Sequence, residues 1–380
     1  MNFLSNLAQN IQKETGVDVA GLAQEALGEV LDVPSGGAQH QQEEKSDRPP
    51  FGSRALDGKR RALLVGINYI GQNPGELRGC INDVASIKGW LLQQGFSEEE
   101  MKVLTDDHAE GSPERPTGDN LRAGMRWLVE NAKEGDVLFM HYSGHGGQMP
   151  DDSGDEEDGM DETLIPVDFQ QKGMIRDDEV YDILVKSLPQ GTRLVCLFDC
   201  CHSGTALDLP FVFKATAENC KNWWDGIPSM VQNMKWDFQN AKSLIKNGLD
   251  LGKVIMRNVQ NMKKGEAEGG SDEARFERTS KVEAMCEALM ISGCADHQTS
   301  ADVASVKDFK LPDTCGPGGA GGACTNALLQ ALGEKPKEEM SFIELLDRMR
   351  KILAEKGFDQ VPQLSASVQV PLDHKVSDLL

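Results

Sequence analysis

Three short runs constrain this chain more than anything else in it: Ala62–Ile67 (ALLVGI), Val137–Tyr142 (VLFMHY) and Leu194–Phe198 (LVCLF). Each is a nearly unbroken apolar stretch of strand length, the pattern of a strand covered on both faces. Between them lie helical spacings: Ile81, Val84, Ile87 and Leu91; Leu121, Met125 and Leu128; Val180, Ile183, Leu184 and Leu188. Lys102–Leu104 reads as a further strand and Thr163–Val167 as an extra one. Strands alternating with helices predict a parallel or mainly parallel sheet with helices on both faces.

The periodic pattern is bounded by segments that break it. Phe3, Leu4, Leu7 and Ile11 have helical spacing, so residues 1–33 read as a helical pre-segment. Residues 34–58 are polar and rich in Gly and Pro, a linker composition. The pattern weakens again between about residues 209 and 283, which reads as a long insertion. It resumes at Ala288–Ser292, followed by the Gly-rich run Cys315–Cys324 and a helix from about Thr325. Ser341 and Glu344 have the spacing of a capping box, and Phe342, Leu345, Met349 and Ile352 line one side of the helix after them. A last strand is expected near Gln363–Val370. The expected division is a pre-segment and linker (1–58), a first catalytic part (59–210), an insertion (211–284) and a second part completing the same domain (285–380).

Charge narrows the partners. The formal net charge of -22 disfavours nucleic acid and anionic membranes and suits cationic ligands. No apolar run approaches the length of a membrane span. The start lacks a basic residue cluster followed by an unbroken apolar stretch, so no secretory signal is read. Nine cysteines without framework spacing point to a reducing, cytoplasmic setting.

Chemistry concentrates at two strand ends. His141-Tyr-Ser-Gly-His145-Gly-Gly begins within VLFMHY, and Asp199-Cys-Cys201-His-Ser-Gly204 follows LVCLF. The carboxyl edge of such strands is where open α/β sheets place their ligand crevice. A cysteine becomes a nucleophile when a histidine at hydrogen-bond reach takes its proton. His202 follows Cys201 directly and points to the other face in extended chain, so His145 is the better base. The glycines allow a substrate backbone to approach, and the N–H groups of Gly146 and Cys201 are candidates for an oxyanion site. A cysteine on a buried strand is also commonly a small core hydrophobe, the reading for Cys196. His141 and His145 stand four apart, yet on a strand they lack the helical scaffold of a zinc pair.

At these residues the sequence resembles the metacaspases, of the caspase-like clan of cysteine proteases. HYSGHGG and D-x-CHSG resemble the family's histidine and cysteine motifs. The resemblance extends over ALLVGINY, LRGCINDV, DGMDETLIPVDF, RDDE and SGTALDLP, and returns at MISGCADHQTSAD and GGACTNALLQAL. The order of parts resembles type I members, although residues 1–58 show neither a Pro-rich nor a zinc-finger prodomain. The resemblance implies a caspase-like α/β sandwich, usually monomeric, and a His145–Cys201 dyad. It implies cleavage after Arg or Lys, with Cys80, Asp83, Ser143 and Asp199 lining the pocket. Two carboxylates there suit a guanidinium or ammonium group. The plainer readings are a first-turn helix residue for Asp83 and a strand-end carboxylate capping N–H groups for Asp199.

The resemblance further implies Ca²⁺ held by Asp161, Asp177, Asp178 and Asp208. Hard oxygen ligands on several loops are what that ion takes, though the acidic run 151–162 lacks EF-hand spacing and such runs are commonly solvated loops. Self-processing in the insertion is implied as well. Among its many Lys and Arg residues, Lys214 and Lys221 are closest in sequence to Cys201. Family roles in programmed cell death or protein quality control are further expectations.

Overall fold

The computed structural model describes residues 51–73, 75–150, 160–200, 206–216, 220, 277–278, 284–293, 302–303 and 321–380. Cys201 and Lys221 lie outside them. All belong to one unit spanning Pro49–Trp223 and Ala274–Leu380.

The elements run β1 (Arg60–Gly66), α1 (Cys80–Gln93), β2 (Met101–Thr105), α2 (Gly118–Val129), β3 (Val137–Ser143), β4 (Gly146–Pro150), β5 (Met160–Leu164) and β6 (Ile175–Arg176). Then come α3 (Asp177–Leu184), β7 (Arg193–Asp199), β8 (Phe211–Lys214), β9 (Glu277–Arg278), β10 (Glu287–Ser292), β11 (Asp302–Val303), β12 (Gly321–Gly322), α4 (Ala323–Glu334), α5 (Phe342–Glu355) and β13 (Gln363–Ala366). The main sheet has the order β2-β1-β3-β7-β10-β13-β8-β9. Its first five strands are mutually parallel, and the last three pair antiparallel. The three apolar runs form three adjacent interior strands of this sheet, β1, β3 and β7, as their two-sided hydrophobicity requires.

Strand alternation divides the core into two layers. Ala62 and Leu64, Val137 and Phe139, and Val195 and Leu197 face one layer, shared with Trp90 of α1 and with buried residues of α4 and α5. Leu63 and Val65, Leu138 and Met140, and Leu194 and Cys196 face the other, with Leu121 and Met125 of α2 and Val180 and Leu184 of α3. The fold is therefore an α/β sandwich with a mainly parallel central sheet covered on both faces.

The capping box forms: Ser341 Oγ accepts from Glu344 N at 3.3 Å, and Glu344 Oε2 accepts from Ser341 N at 2.9 Å. The extra strand is displaced from the expected Thr163–Val167 to Met160–Leu164, because Pro166 has no N–H for a ladder and Val167 N instead donates to Pro116 O. Gly146–Pro150 pairs with it in a second sheet that the sequence pattern did not announce. Phe211–Lys214, at the start of the expected insertion, is a strand of the main sheet paired to Gln363–Ala366. Its four residues are too short to show a period of their own.

Candidate active site

The parity that separates the two core layers also builds the acid cluster. His141 and Ser143 continue the Val137 and Phe139 side of β3, and Asp199 continues the Val195 and Leu197 side of β7. All three therefore lie on the face covered by α1 and α4, at the carboxyl edge of the sheet. Asp83 enters from the first turn of α1. Ser143 Oγ donates to Asp83 Oδ2 at 2.8 Å. Gly322 N donates to both Asp83 oxygens at 2.8 and 3.0 Å, and Asn326 Nδ2 to Oδ1 at 3.1 Å. Thr325 N donates to Asp199 Oδ2 at 2.7 Å. The amino end of α4 thus points its N–H groups at two carboxylates from other elements, a favourable dipole arrangement.

The two acids are close. A β-carbon on Gly322 would lie 2.7 Å from Asp199 Cγ and 2.8 Å from Asp83 Oδ2, so these two atoms are no more than about 5.5 Å apart. Asp83 is 1% exposed and Asp199 4%. Burial, followed by the charge of Asp199, holds the Asp83 carboxyl well above the usual carboxylate range, while bonds from Ser143, Gly322 and Asn326 pull the other way. Cys80 begins α1 three residues earlier, buried, its N–H donating to Asn68 Oδ1 at 3.0 Å. His141 is fully buried, with Nε2 3.3 Å from Thr325 Oγ1 and Nδ1 without a hydrogen-bond partner. Burial pushes its pKa down to about 3, so it is a neutral core residue.

His145 sits two residues past the end of β3. Its Nε2 is 2.7 Å from Gly75 O. A carbonyl only accepts, so Nε2 carries the proton, and in the neutral ring Nδ1 is the basic nitrogen. The Tyr69 ring lies against the imidazole, centroids 4.6 Å apart. Gly146 opens β4, opposite Leu164. Cys200 is buried in the second core layer, away from the acid cluster, which fits a packing role.

The expected calcium ligands fall on neighbouring elements, apart from Asp208. Asp161 is on β5, and Asp177 and Asp178 begin α3. Asp161 is ion-paired with Arg176. Asp177 accepts from Glu162 N at 2.7 Å and from Asp178 N at 2.9 Å. Asp208 stands between β7 and β8 in a left-handed backbone conformation. The donor chemistry suits a hard cation. The geometry does not yet form a cage: among the described residues no three His, Cys, Asp or Glu side chains converge on one point. Lys214 ends β8, and the peptide N–H after it, on buried Ala215, donates to Pro362 O at 2.9 Å.

Residues 60–210 match the family model described as "Metacaspase, peptidase C14 domain". The chain is 41% identical over 321 residues to Metacaspase-1 of Mycosarcoma maydis, covering 84% of this chain and 73% of that one. It is 41% identical over 325 residues to Metacaspase-1 of Schizosaccharomyces pombe, covering 85% and 70%. Metacaspase-1A of Aspergillus terreus is 43% identical over 321 residues, covering 83% and 72%. The chain belongs to the metacaspase family. This metacaspase is accordingly a cysteine-type peptidase, a hydrolase whose substrates are proteins or peptides. Among its described residues no helix is long and apolar enough to cross a membrane.

Sequence reasoning missed several residues of this metacaspase's site. Gly75 enters through its carbonyl, which no side-chain pattern reports. Gly322, Thr325 and Asn326 are more than a hundred residues from the acids they bind. Tyr69 was findable, since it follows the carboxyl end of β1 at the same sheet edge as His145.

Proposed function

We propose that this metacaspase is a calcium-dependent endopeptidase that cuts after Arg or Lys, with His145 as base and Cys201 as nucleophile. The observation that carries the specificity is the meeting of Asp83 and Asp199, two buried carboxylates, at the sheet edge that also bears His145. A buried pair of like charges is costly, and a cationic side chain offsets that cost. An aspartate side chain would bring a further carboxylate to a buried acidic pair that offers it no positive charge, which sets cleavage after Asp aside.

In this reading His145 Nδ1 accepts the Cys201 thiol proton, and the thiolate attacks the carbonyl carbon of the residue held by Asp83, Asp199, Ser143 and Cys80. The N–H groups of Gly146 and Cys201 stabilise the oxyanion. The imidazolium returns its proton to the leaving amine, and water then hydrolyses the thioester.

Ca²⁺ would be held by Asp161, Asp177, Asp178 and Asp208, offsetting the repulsion of their carboxylates. Support comes from Asp161 and Asp177, both buried on adjacent elements. Arg176 stands in the cation's place at Asp161 in this arrangement. Self-processing is assigned to the segment after β8. The buried, hydrogen-bonded peptide after Lys214 counts against cleavage there, and Lys221 remains the other candidate.

One assay tests the whole reading. Fluorogenic peptides ending in Arg, Lys or Asp are offered to wild type and Cys201→Ala, with Ca²⁺ or chelator. Cleavage of the Arg and Lys peptides only, by wild type with Ca²⁺ only, is expected. Cleavage of the Asp peptide refutes the pocket, and full activity in chelator refutes the ion. Gel filtration is expected to give a monomer. Cells carrying wild type or Cys201→Ala separate proteolytic roles in cell death or protein quality control from non-proteolytic ones.

A further inference from the structure

Residues 144 and 145 lie between two sheets: β3 ends at Ser143 and β4 begins at Gly146. Two phenols take over part of what a ladder would provide. His145 N donates to Tyr69 Oη at 2.9 Å, and Tyr142 Oη donates to His145 O at 2.8 Å. The same hydroxyls hold Ile165, just past β5. Tyr69 Oη donates to Ile165 O at 2.7 Å, and Ile165 N donates to Tyr142 Oη at 3.1 Å. Both rings are buried, and burial raises both hydroxyls above the ordinary phenol range, so they stay protonated at working pH.

We infer that Tyr69 and Tyr142 form a clamp that positions the His145 imidazole, acting as positioning residues for the base. The inference rests on His145 being that base. Tyr69 contributes twice, because its ring also lies against the imidazole. Its own backbone is in the left-handed region at φ 53°, costly for a residue other than glycine. Asp106 holds that turn, accepting from Asn68 N at 2.8 Å and Ile70 N at 2.9 Å on either side. The loop continues to Gly75, whose carbonyl takes Nε2–H. One loop therefore meets the imidazole's face and its Nε2, while the phenols hold its peptide. Gly144 permits this, since a β-carbon there would stand 3.1 Å from Tyr142 Oη and 3.2 Å from Tyr69 Oη.

The test compares wild type, Tyr69→Phe, Tyr142→Phe, the double variant and His145→Ala. Each phenylalanine keeps the ring and removes the hydroxyl. A misplacement near 1 Å costs about a hundredfold in rate. Each single variant is therefore expected to lose about tenfold in kcat and the double about a hundredfold, with KM for an Arg peptide within about twofold. The pH midpoint for alkylation of Cys201 by iodoacetamide should rise in the same order, because a misplaced imidazolium no longer stabilises the thiolate. Lower melting temperature with unchanged kcat and alkylation profile overturns the clamp. Should the phenylalanine variants not fold, Asp106→Ala decides: it loosens the Tyr69 turn without touching a phenol, and full kcat there overturns the clamp. His145→Ala separates the two readings. Full activity in it removes the base itself, whereas an inactive His145→Ala beside a fully active double variant removes only the clamp.

Discussion

Replacing Gly322 by alanine tests the acid cluster most directly. The Gly322 backbone, at φ -73° and ψ 140°, is open to any L-residue, so the effect comes from contact alone. The new methyl would overlap Asp199 Oδ2 and lie 2.8 Å from Asp83 Oδ2. Neither carboxylate yields easily. Asp199 is held by Thr325 N, and Asp83 by Ser143, Asn326 and Gly322 itself. Overpacking of a dense interior costs about 1–3 kcal/mol. Forcing the Gly322 N–H from Asp83 leaves a buried donor and acceptor unpaired, a further ~2 kcal/mol. A loss of about 3–5 kcal/mol lowers the melting temperature of a unit this size by roughly 5–8 °C. Thermal denaturation of wild type and Gly322→Ala, each with and without an Arg-aldehyde inhibitor, measures both stability and ligand stabilisation. The inhibitor's stabilising shift should shrink in the variant, because the methyl spreads the two acids. A melting change under about 2 °C, less than about 1 kcal/mol, with an undiminished inhibitor shift refutes the packing of α4 onto the acids.

The other predictions concern charge. Asp83 has a raised pKa, so its stabilising contribution is complete below the unfolded carboxylate range and is lost as pH rises toward the folded value. Asp83→Asn should therefore flatten the fall in stability above acid pH, seen in urea midpoints across pH, while Arg and Lys peptide cleavage is lost. Asp199→Asn should abolish the same cleavage while the fold survives; undiminished kcat/KM sinks the pocket. His141 titrates near 3 when folded and near 6.5 when unfolded, so the unfolded state binds the extra proton between those values. Stability falls as pH drops through that window, by about 4 kcal/mol at its end, and His141→Gln should remove this component in the same urea series. Arg176→Gln should lower the Ca²⁺ concentration for half-maximal activity, because the ion then no longer displaces a guanidinium; an unchanged or higher requirement refutes the displacement.

Local pattern carried much of this protein. The central strands needed no tertiary information, because a run such as VLFMHY is stable only when both its faces are covered. The helix after Ser341 was equally legible from its capping box and apolar stripe. Strand parity even separated Cys200, buried in the second layer, from Asp199 on the other face. Less was visible where pairing depends on a distant partner. Phe211–Lys214 becomes a strand because Gln363–Ala366 offers it an edge, and Gly146–Pro150 because Met160–Leu164 does.

The plain readings of Asp83 and Asp199 describe their local places in the fold. Asp83 is a first-turn residue of α1, and Asp199 does receive an N–H from a helix amino end. That helix is α4, more than a hundred residues away, and it brings the two acids to one place. The sequence by itself determined which side chains stand at the carboxyl edge and on which face of each strand, because alternation is a property of the local backbone. Only the tertiary structure decided what meets there: two acids at Gly322, and a carbonyl and two phenols around His145. Hydrogen bonds and charge act through space over a few ångströms, and the spacing of residues along a chain does not encode those distances.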